Sequence, residues 1–107
     1  MDSNVFIVGA FQTPVGAFGG QLEELPAPRM GAHLIREMLE QTGVQPQEVD
    51  EVILGQVLTA GCGQNPARQS ALWAGLPEST PALTINTVCG SGLKALQLAT
   101  QPILADD

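Results

Sequence analysis

The chain has 107 residues, which is enough for one hydrophobic core and too few for two ordinary domains. Its formal net charge is −7, from 11 acidic residues against four Lys and Arg, and no two basic residues are adjacent. Nucleic acids and anionic membranes are bound by clustered Lys and Arg, so the charge pattern argues against both partners.

The sequence has no pattern typical of a membrane-spanning helix, a targeting peptide or a disulfide framework, and this bears on the location of the protein and on the redox state of its cysteines. No apolar run approaches the roughly 18 residues that a membrane-spanning helix needs, and the N-terminus has neither a signal nor a transit pattern. Cys62 and Cys89 are too few for a disulfide framework. We therefore expect reduced thiols and a cytoplasmic location.

The first part of the chain predicts a strand, a loop and a helix. Residues 4–11 are a β-rich apolar run, followed by a loop rich in Gly and Pro, which predicts a buried strand. Apolar residues at helical spacing then predict an amphipathic helix over 28–42 that ends at Gly43. His33 falls on the side of this helix away from Ile35, so we expect it to be solvated.

The middle of the chain repeats this alternation. Residues 51–58 predict a second buried strand, in which Gly55 indicates a bulge or a close backbone approach. Asn65 is a good N-cap and Pro66 suits the first helical position, so a helix is predicted over 66–74.

The last part adds one more strand and helix. Residues 81–88 predict the third strand, and the helix after Cys89 is expected to end or kink after about Thr100 because of Pro102. The order β-α-β-α-β-α predicts an α/β fold in which a largely parallel or mixed sheet is flanked by helices. Three strands are few for such a sheet, so we expect an incomplete domain.

Cys89 lies between the third strand and the last helix, in the stretch NTVCGSGLKAL. A thiol at a helix start faces the positive end of the helix dipole and free amide groups, which favours the thiolate. Gly90 and Gly92 would let the chain turn and let a carbonyl approach amides that stabilise an oxyanion. A small apolar cysteine ending a strand explains the same pattern, so both interpretations remain open from the residues alone. We interpret Ser91 as the helix N-cap.

Two other kinds of site fit poorly. Residues 61–66 lie between a strand and a helix, as a dinucleotide-binding loop would, but lack its closing glycine. The spacing of His33, Cys62 and Cys89 fits no zinc pattern, so we expect no metal site.

Three stretches, VDEVILGQVL, AGCGQNPARQSAL and INTVCGSGLKALQLA, resemble the N-terminal part of the thiolases. This family contains acetyl-CoA C-acetyltransferase and 3-ketoacyl-CoA thiolase, and the likeness runs over about residues 5–99. It implies a thiolase-like fold, in which residues 1–107 form an incomplete N-terminal domain. The C-terminal half and the CoA-binding loop region of the family are then absent from the chain.

The resemblance also implies a chemistry. Cys89 matches the nucleophile that takes an acyl group from acyl-CoA as a thioester, which a second acyl-CoA attacks to give 3-ketoacyl-CoA; CoA drives the reverse thiolysis. CoA thioesters of fatty acid metabolism would be substrates of the complete enzyme, and this chain would bind no cofactor itself. In thiolases the other acid/base groups come from the C-terminal half, so we expect the chain alone to lack full activity.

For the loop around GQNPARQ, the resemblance implies contact between subunits of a homo-oligomer. Gln64, Asn65 and Arg68 would lie in this contact, with Arg68 in an ion pair. Cys62 falls at a variable position of the same loop and is expected to be a structural thiol.

Two alternatives are kept. The chain could be a catalytically inactive truncated product that associates with full-length thiolase. It could also be part of a ketoacyl-synthase-type condensing enzyme, since those enzymes share the fold and a cysteine at the same kind of turn.

Overall fold

A computed structural model describes residues 4–107 of the chain. Its elements are α1 (Ala27–Thr42), a 3-10 turn (Pro46–Glu48), β1 (Val52–Gly55), α2 (Pro66–Trp73), β2 (Ala82–Ile85) and α3 (Ser91–Leu104). The strands β1 and β2 pair in parallel, with Val52 opposite Ala82 and Gly55 opposite Ile85. The predicted α/β class is confirmed, but the sheet in the described part is a parallel pair and not a mixed sheet.

The strand predicted over 4–11 is not formed. This segment has no regular structure, and the side chains of Phe6, Ile7 and Val8 are 76%, 71% and 74% exposed. A strand exists only when neighbouring backbone satisfies its N–H and C=O groups, and residues 4–107 provide no neighbour for this run. The observed order is therefore α-β-α-β-α, without the leading strand.

The helix α1 matches its predicted bounds within one residue. It ends where Gly43 adopts a φ of 76°, and the Gly43 N–H donates to the Leu39 carbonyl at 3.0 Å. A left-handed residue after the last turn is the usual helix terminator, because only glycine accepts that conformation without strain. His33 is exposed on this helix, as predicted.

The core is built from small and medium side chains where α1, α2 and β1 meet. Its buried members are Ala32, Ile35, Val52, Ala71, Ala74 and Leu76. Small residues let the two helices approach closely. A Cβ at Gly31 would lie only 2.6 Å from the Ser70 Oγ, so α1 and α2 touch at this glycine.

Beside this core, one apolar face of the sheet stays open. A groove of about 550 Å³ runs over β1 between α1 and α3, and its apolar lining includes Leu39, Leu54, Leu96 and Ile103. Leu96 and Ile103 are each 46% exposed. The described residues therefore leave apolar surface of the sheet uncovered.

The last helix is longer than predicted. It runs through Pro102 to Leu104, so an end near Thr100 is wrong. A proline lacks one N–H and crowds one carbonyl of the preceding turn, and this close to the C-terminus little helix remains to be disrupted. Backbone hydrogen bonds from the Ala105 N–H to the Gln101 carbonyl and from the Asp107 N–H to the Pro102 carbonyl, both 2.9 Å, close the helix beyond the proline.

Within residues 4–107, no helix has both the length and the apolar character needed to cross a membrane.

Candidate active site

Cys89 lies in the turn between β2 and α3, and we call residues 86–90 the Cys89 turn. Its thiol is free and the residue is exposed. Gly90 is the N-cap of α3, so the cysteine directly precedes the start of a 14-residue helix. The predicted placement of this thiol at a helix start is confirmed.

The sharp bend of the Cys89 turn is made at Val88. This residue has a φ of 55°, which is costly for a β-branched side chain. Asn86 stabilises the bend, because its Oδ1 accepts the Val88 N–H at 2.8 Å. Gly90 has a φ of −92° and no positive φ is found at Gly92, so the glycines are not what the turn needs, contrary to the sequence argument.

Ser91 also differs from its predicted role. It is the first residue of α3, not its N-cap, and it is only 5% exposed. Its hydroxyl reaches backwards, accepting the Thr87 N–H at 3.0 Å and donating to the Val88 carbonyl at 2.6 Å. The side chain therefore bridges the two backbone groups on either side of the Val88 bend.

Gly55 brings the start of α3 onto the end of β1. A Cβ at Gly55 would lie 2.6 Å from the Ser91 carbonyl carbon and 2.7 Å from the Ser91 Cβ. No real side chain tolerates such distances, so the close backbone approach predicted at Gly55 is confirmed. The end of β1 thus fixes the position of the first residue of α3, two residues after Cys89.

The two glycines after Cys89 differ in what their amides can do. The Gly90 N–H already donates to the Thr87 carbonyl at 3.2 Å. By contrast, none of the hydrogen bonds found among residues 4–107 uses the Gly92 N–H. A Cβ at Gly92 would meet nothing within 4 Å, so a side chain at this position would not clash with its surroundings.

Asn65 ties the start of α2 to β2. It has a φ of 40°, and its Oδ1 accepts the Arg68 N–H at 3.3 Å, which confirms the predicted N-cap. The same oxygen accepts the Thr84 hydroxyl at 2.7 Å, and the Asn65 Nδ2 donates to the Ala82 carbonyl at 3.1 Å. One side chain thus holds a helix end and a strand together.

We expect Asn65→Ala to lower the free energy of unfolding by about 2 kcal/mol. The variant loses the helix cap, and alanine tolerates the positive φ at this position less well than asparagine. Urea denaturation measures the change. Gln64→Ala is the matched control, since the Gln64 side chain makes no hydrogen bond within the described residues. Equal losses in the two variants would contradict the expectation.

Arg68 has a structural partner other than the one expected. Its guanidinium donates to the Thr80 carbonyl at 2.9 Å, which joins α2 to the segment before β2. The predicted ion pair is therefore wrong within residues 4–107. Gln64 is exposed, and its carbonyl accepts the Gln69 amide at 2.8 Å. Contact of Gln64, Asn65 and Arg68 with a second subunit stays a prediction.

The remaining reactive side chains belong to other segments of the chain than the Cys89 turn. Cys62 is a free, half-buried thiol whose sulfur accepts the Gln56 amide at 3.4 Å. His33 faces a shallow pocket beside Phe11 and Gln12. Among residues 4–107, no three His, Cys, Asp or Glu side chains are grouped as metal ligands would be.

Sequence reasoning missed the side chains that shape the Cys89 turn. Asn86 carried a usable signal, because Asn often accepts the N–H two residues further along the chain. Val88 carried none, since its residue type disfavours a positive φ.

The family described as thiolase, N-terminal domain, matches residues 5–107 of the chain. The chain belongs to the thiolase family. This agrees with the resemblance found in the motifs around Cys89 and in the loop before α2.

The thiolase domain is also similar in sequence to several named relatives. It is 62% identical over 103 residues to an acetyl-CoA acetyltransferase of Chromobacterium violaceum and 60% identical over 105 residues to one of Cupriavidus necator. A probable acetyl-CoA acyltransferase of Staphylococcus epidermidis is 52% identical over 105 residues. The alignments cover 96%, 98% and 98% of this chain but 26%, 27% and 27% of the relatives. The thiolase domain thus spans about a quarter of the length of the curated relatives it matches.

Proposed function

We propose that the complete protein transfers acyl groups between CoA thioesters through a covalent thioester on Cys89. Condensation to 3-ketoacyl-CoA and its thiolysis are the two directions of this reaction. The observation that carries the proposal is the exposed thiol directly before the N-cap of α3. The names of the relatives, acetyl-CoA acetyltransferase and acetyl-CoA acyltransferase, support acetyl-CoA as the acyl donor.

The first step needs a thiolate and a donor for a developing negative charge. The Cys89 sulfur attacks the thioester carbonyl carbon, a new C–S bond forms, and the C–S bond to CoA breaks, so that CoA leaves as a thiolate and takes up a proton. The positive end of α3 stabilises negative charge near its first turn. The unpartnered Gly92 N–H supplies a candidate donor for the carbonyl oxygen, whereas the Gly90 N–H is already engaged.

The second step needs groups that lie elsewhere in the complete protein. Condensation requires removal of a proton from the α-carbon of the second acyl-CoA, which is work for a general base. The sole histidine of the sequence, His33, is exposed on α1 and lines a pocket away from Cys89. We assign the base and the CoA-binding loop to a part of the complete protein outside residues 1–107.

The open apolar surfaces support further chain or a partner packing on this domain. The groove over β1 and the exposed Phe6, Ile7 and Val8 would be covered in the complete protein. The exposed Gln64 loop beside β2 suits a contact between subunits of a homo-oligomer. An inactive product that associates with full-length thiolase would need the same exposed surfaces for its contact. We place the protein in the cytoplasm, in fatty acid metabolism.

The test is acetylation of the 107-residue chain by acetyl-CoA. We expect one acetyl group on the Cys89 peptide, detected by mass spectrometry after an acid quench, and no formation of 3-ketoacyl-CoA by the chain alone. Cys89→Ser should lose the label, because the nucleophile is gone.

Cys62→Ser is the matched control and should keep the label, since Cys62 lies in another loop. Label on both cysteines at similar rates would contradict a specific role for Cys89. Rapid formation of 3-ketoacyl-CoA by the chain alone would contradict the assignment of the base to the rest of the protein.

A further inference from the structure

The buried hydroxyl of Ser91 makes its hydrogen bonds to the backbone of the Cys89 turn and not to the backbone of α3. It is one of the least exposed polar groups of the chain, at 5%. It accepts from the Thr87 N–H and donates to the Val88 carbonyl, at 3.0 and 2.6 Å. A helix cap would instead accept an N–H further along the helix, and Gly90 occupies the cap position.

This bridge encloses a residue whose backbone is strained. Val88 has a φ of 55°, a conformation that a β-branched side chain keeps only when its surroundings hold it there. Its N–H donates to the Asn86 Oδ1 at 2.8 Å, and its carbonyl accepts the Ser91 hydroxyl at 2.6 Å and the Ser91 N–H at 3.1 Å. Two side chains therefore pin both backbone polar groups of the residue that directly precedes Cys89.

The position of Ser91 is itself fixed by β1. The Cβ that Gly55 lacks would lie 2.7 Å from the Ser91 Cβ, so the serine sits against the strand end. A side chain here must be small, and serine is the smallest that carries a hydroxyl. Packing alone would accept alanine equally well, so the hydroxyl is explained by its two bonds to the turn.

We propose that Ser91 is a positioning residue for Cys89, which keeps the Val88 bend closed and thereby fixes the backbone that carries the thiol directly before α3. The inference rests on the proposed function, in which Cys89 accepts the acyl group. Without the hydroxyl, the Thr87 N–H loses its acceptor and the Val88 carbonyl keeps only the Ser91 N–H, at 3.1 Å, so the Val88 bend relaxes toward a negative φ. The Cys89 peptide then rotates, and the sulfur changes its position relative to the start of α3.

The test compares Ser91→Ala with Thr100→Ala in the 107-residue chain. Thr100 is a matched control, because its hydroxyl donates to the Gln97 carbonyl at 2.7 Å in the same helix, three residues back, as Ser91 does to Val88. Iodoacetamide labels Cys89 and Cys62 in one sample, and peptide mass spectrometry gives both rates. Acetylation of Cys89 is measured alongside, at one fixed acetyl-CoA concentration.

We expect Ser91→Ala to slow alkylation of Cys89 about tenfold, because the reactivity of a thiol depends on the charges and amides around its sulfur, which change when the turn moves. The rate at Cys62 stays unchanged, and Thr100→Ala changes neither. Acetylation of Cys89 at a fixed acetyl-CoA concentration falls by a similar factor. General destabilisation would instead expose the half-buried Cys62 and speed its alkylation.

The outcomes separate this inference from the proposed function. Acetylation of Cys89 in the parent chain, with both Cys89 rates unchanged in Ser91→Ala, would overturn the role of Ser91 and leave the function intact. Absence of acetylation with the tenfold slowing of alkylation would support the role of Ser91 and count against the function. A change in the rate at Cys62, or similar slowing in Thr100→Ala, would show a global effect and overturn the inference.

Discussion

Gly55→Ala should destabilise the chain by about 3 kcal/mol, the upper part of the range for overpacking a tight contact. The added Cβ would lie 2.6 Å from the carbonyl carbon and 2.8 Å from the carbonyl oxygen of Ser91. Both are backbone atoms, so no side-chain rotation relieves the overlap and the start of α3 must move away from β1. Urea denaturation measures the loss, and alkylation of Cys89 reports whether the Cys89 turn moves with the helix.

Gly92→Ala is the control for stability at the start of the same helix. Its added Cβ would meet nothing within 4 Å. Alanine is favoured over glycine in a helix by up to about 1 kcal/mol, so this variant should be neutral or stabilised. Unfolding of Gly55→Ala at the urea midpoint of the unaltered chain would contradict the close contact between β1 and α3.

Gly31→Ala should cost about 2 kcal/mol, because it forces apart the two helices that form most of the core. Its Cβ would lie 2.6 Å from the Ser70 Oγ and 3.2 Å from the Ser70 Cβ. Ser70 is completely buried, and its hydroxyl donates to the Pro28 carbonyl at 2.7 Å, so it has no free space to rotate into. Urea denaturation measures the change.

A double-mutant cycle identifies the cause of this loss. Ser70→Ala alone should cost about 1 kcal/mol, because a buried hydrogen bond is removed. In the double variant Gly31→Ala/Ser70→Ala the closest clash is absent, so its loss should fall at least 0.5 kcal/mol short of the sum of the single losses. Additive losses would show that the cost of Gly31→Ala arises elsewhere than at Ser70.

Features governed by neighbours along the chain were predictable from the residues. The apolar spacing before Gly43 marked α1, and Asn65 before Pro66 marked the start of α2, because caps and periodicity act within one or two turns. Cys89 at a helix start followed from the same local signals. Even the close contact at Gly55 had a local sign, a glycine inside a strand.

Features that depend on distant partners were not predictable. Residues 4–11 have the residue types of a strand, but pairing needs a neighbouring backbone that residues 4–107 do not place there. The parallel pairing of β1 and β2 likewise follows from how α2 packs back on the sheet, which local pattern leaves open.

The thiolase motif around Cys89 shows the same division most clearly. Residue type and spacing alone indicated a nucleophile before a helix, because a helix dipole and its free amides are properties of local backbone. The atoms that hold the turn around this nucleophile depend on the packing of β1 against α3, which the sequence does not reveal. The end of β1 at Gly55 packs directly against Ser91, whose hydroxyl donates to the Val88 carbonyl and does not cap the helix.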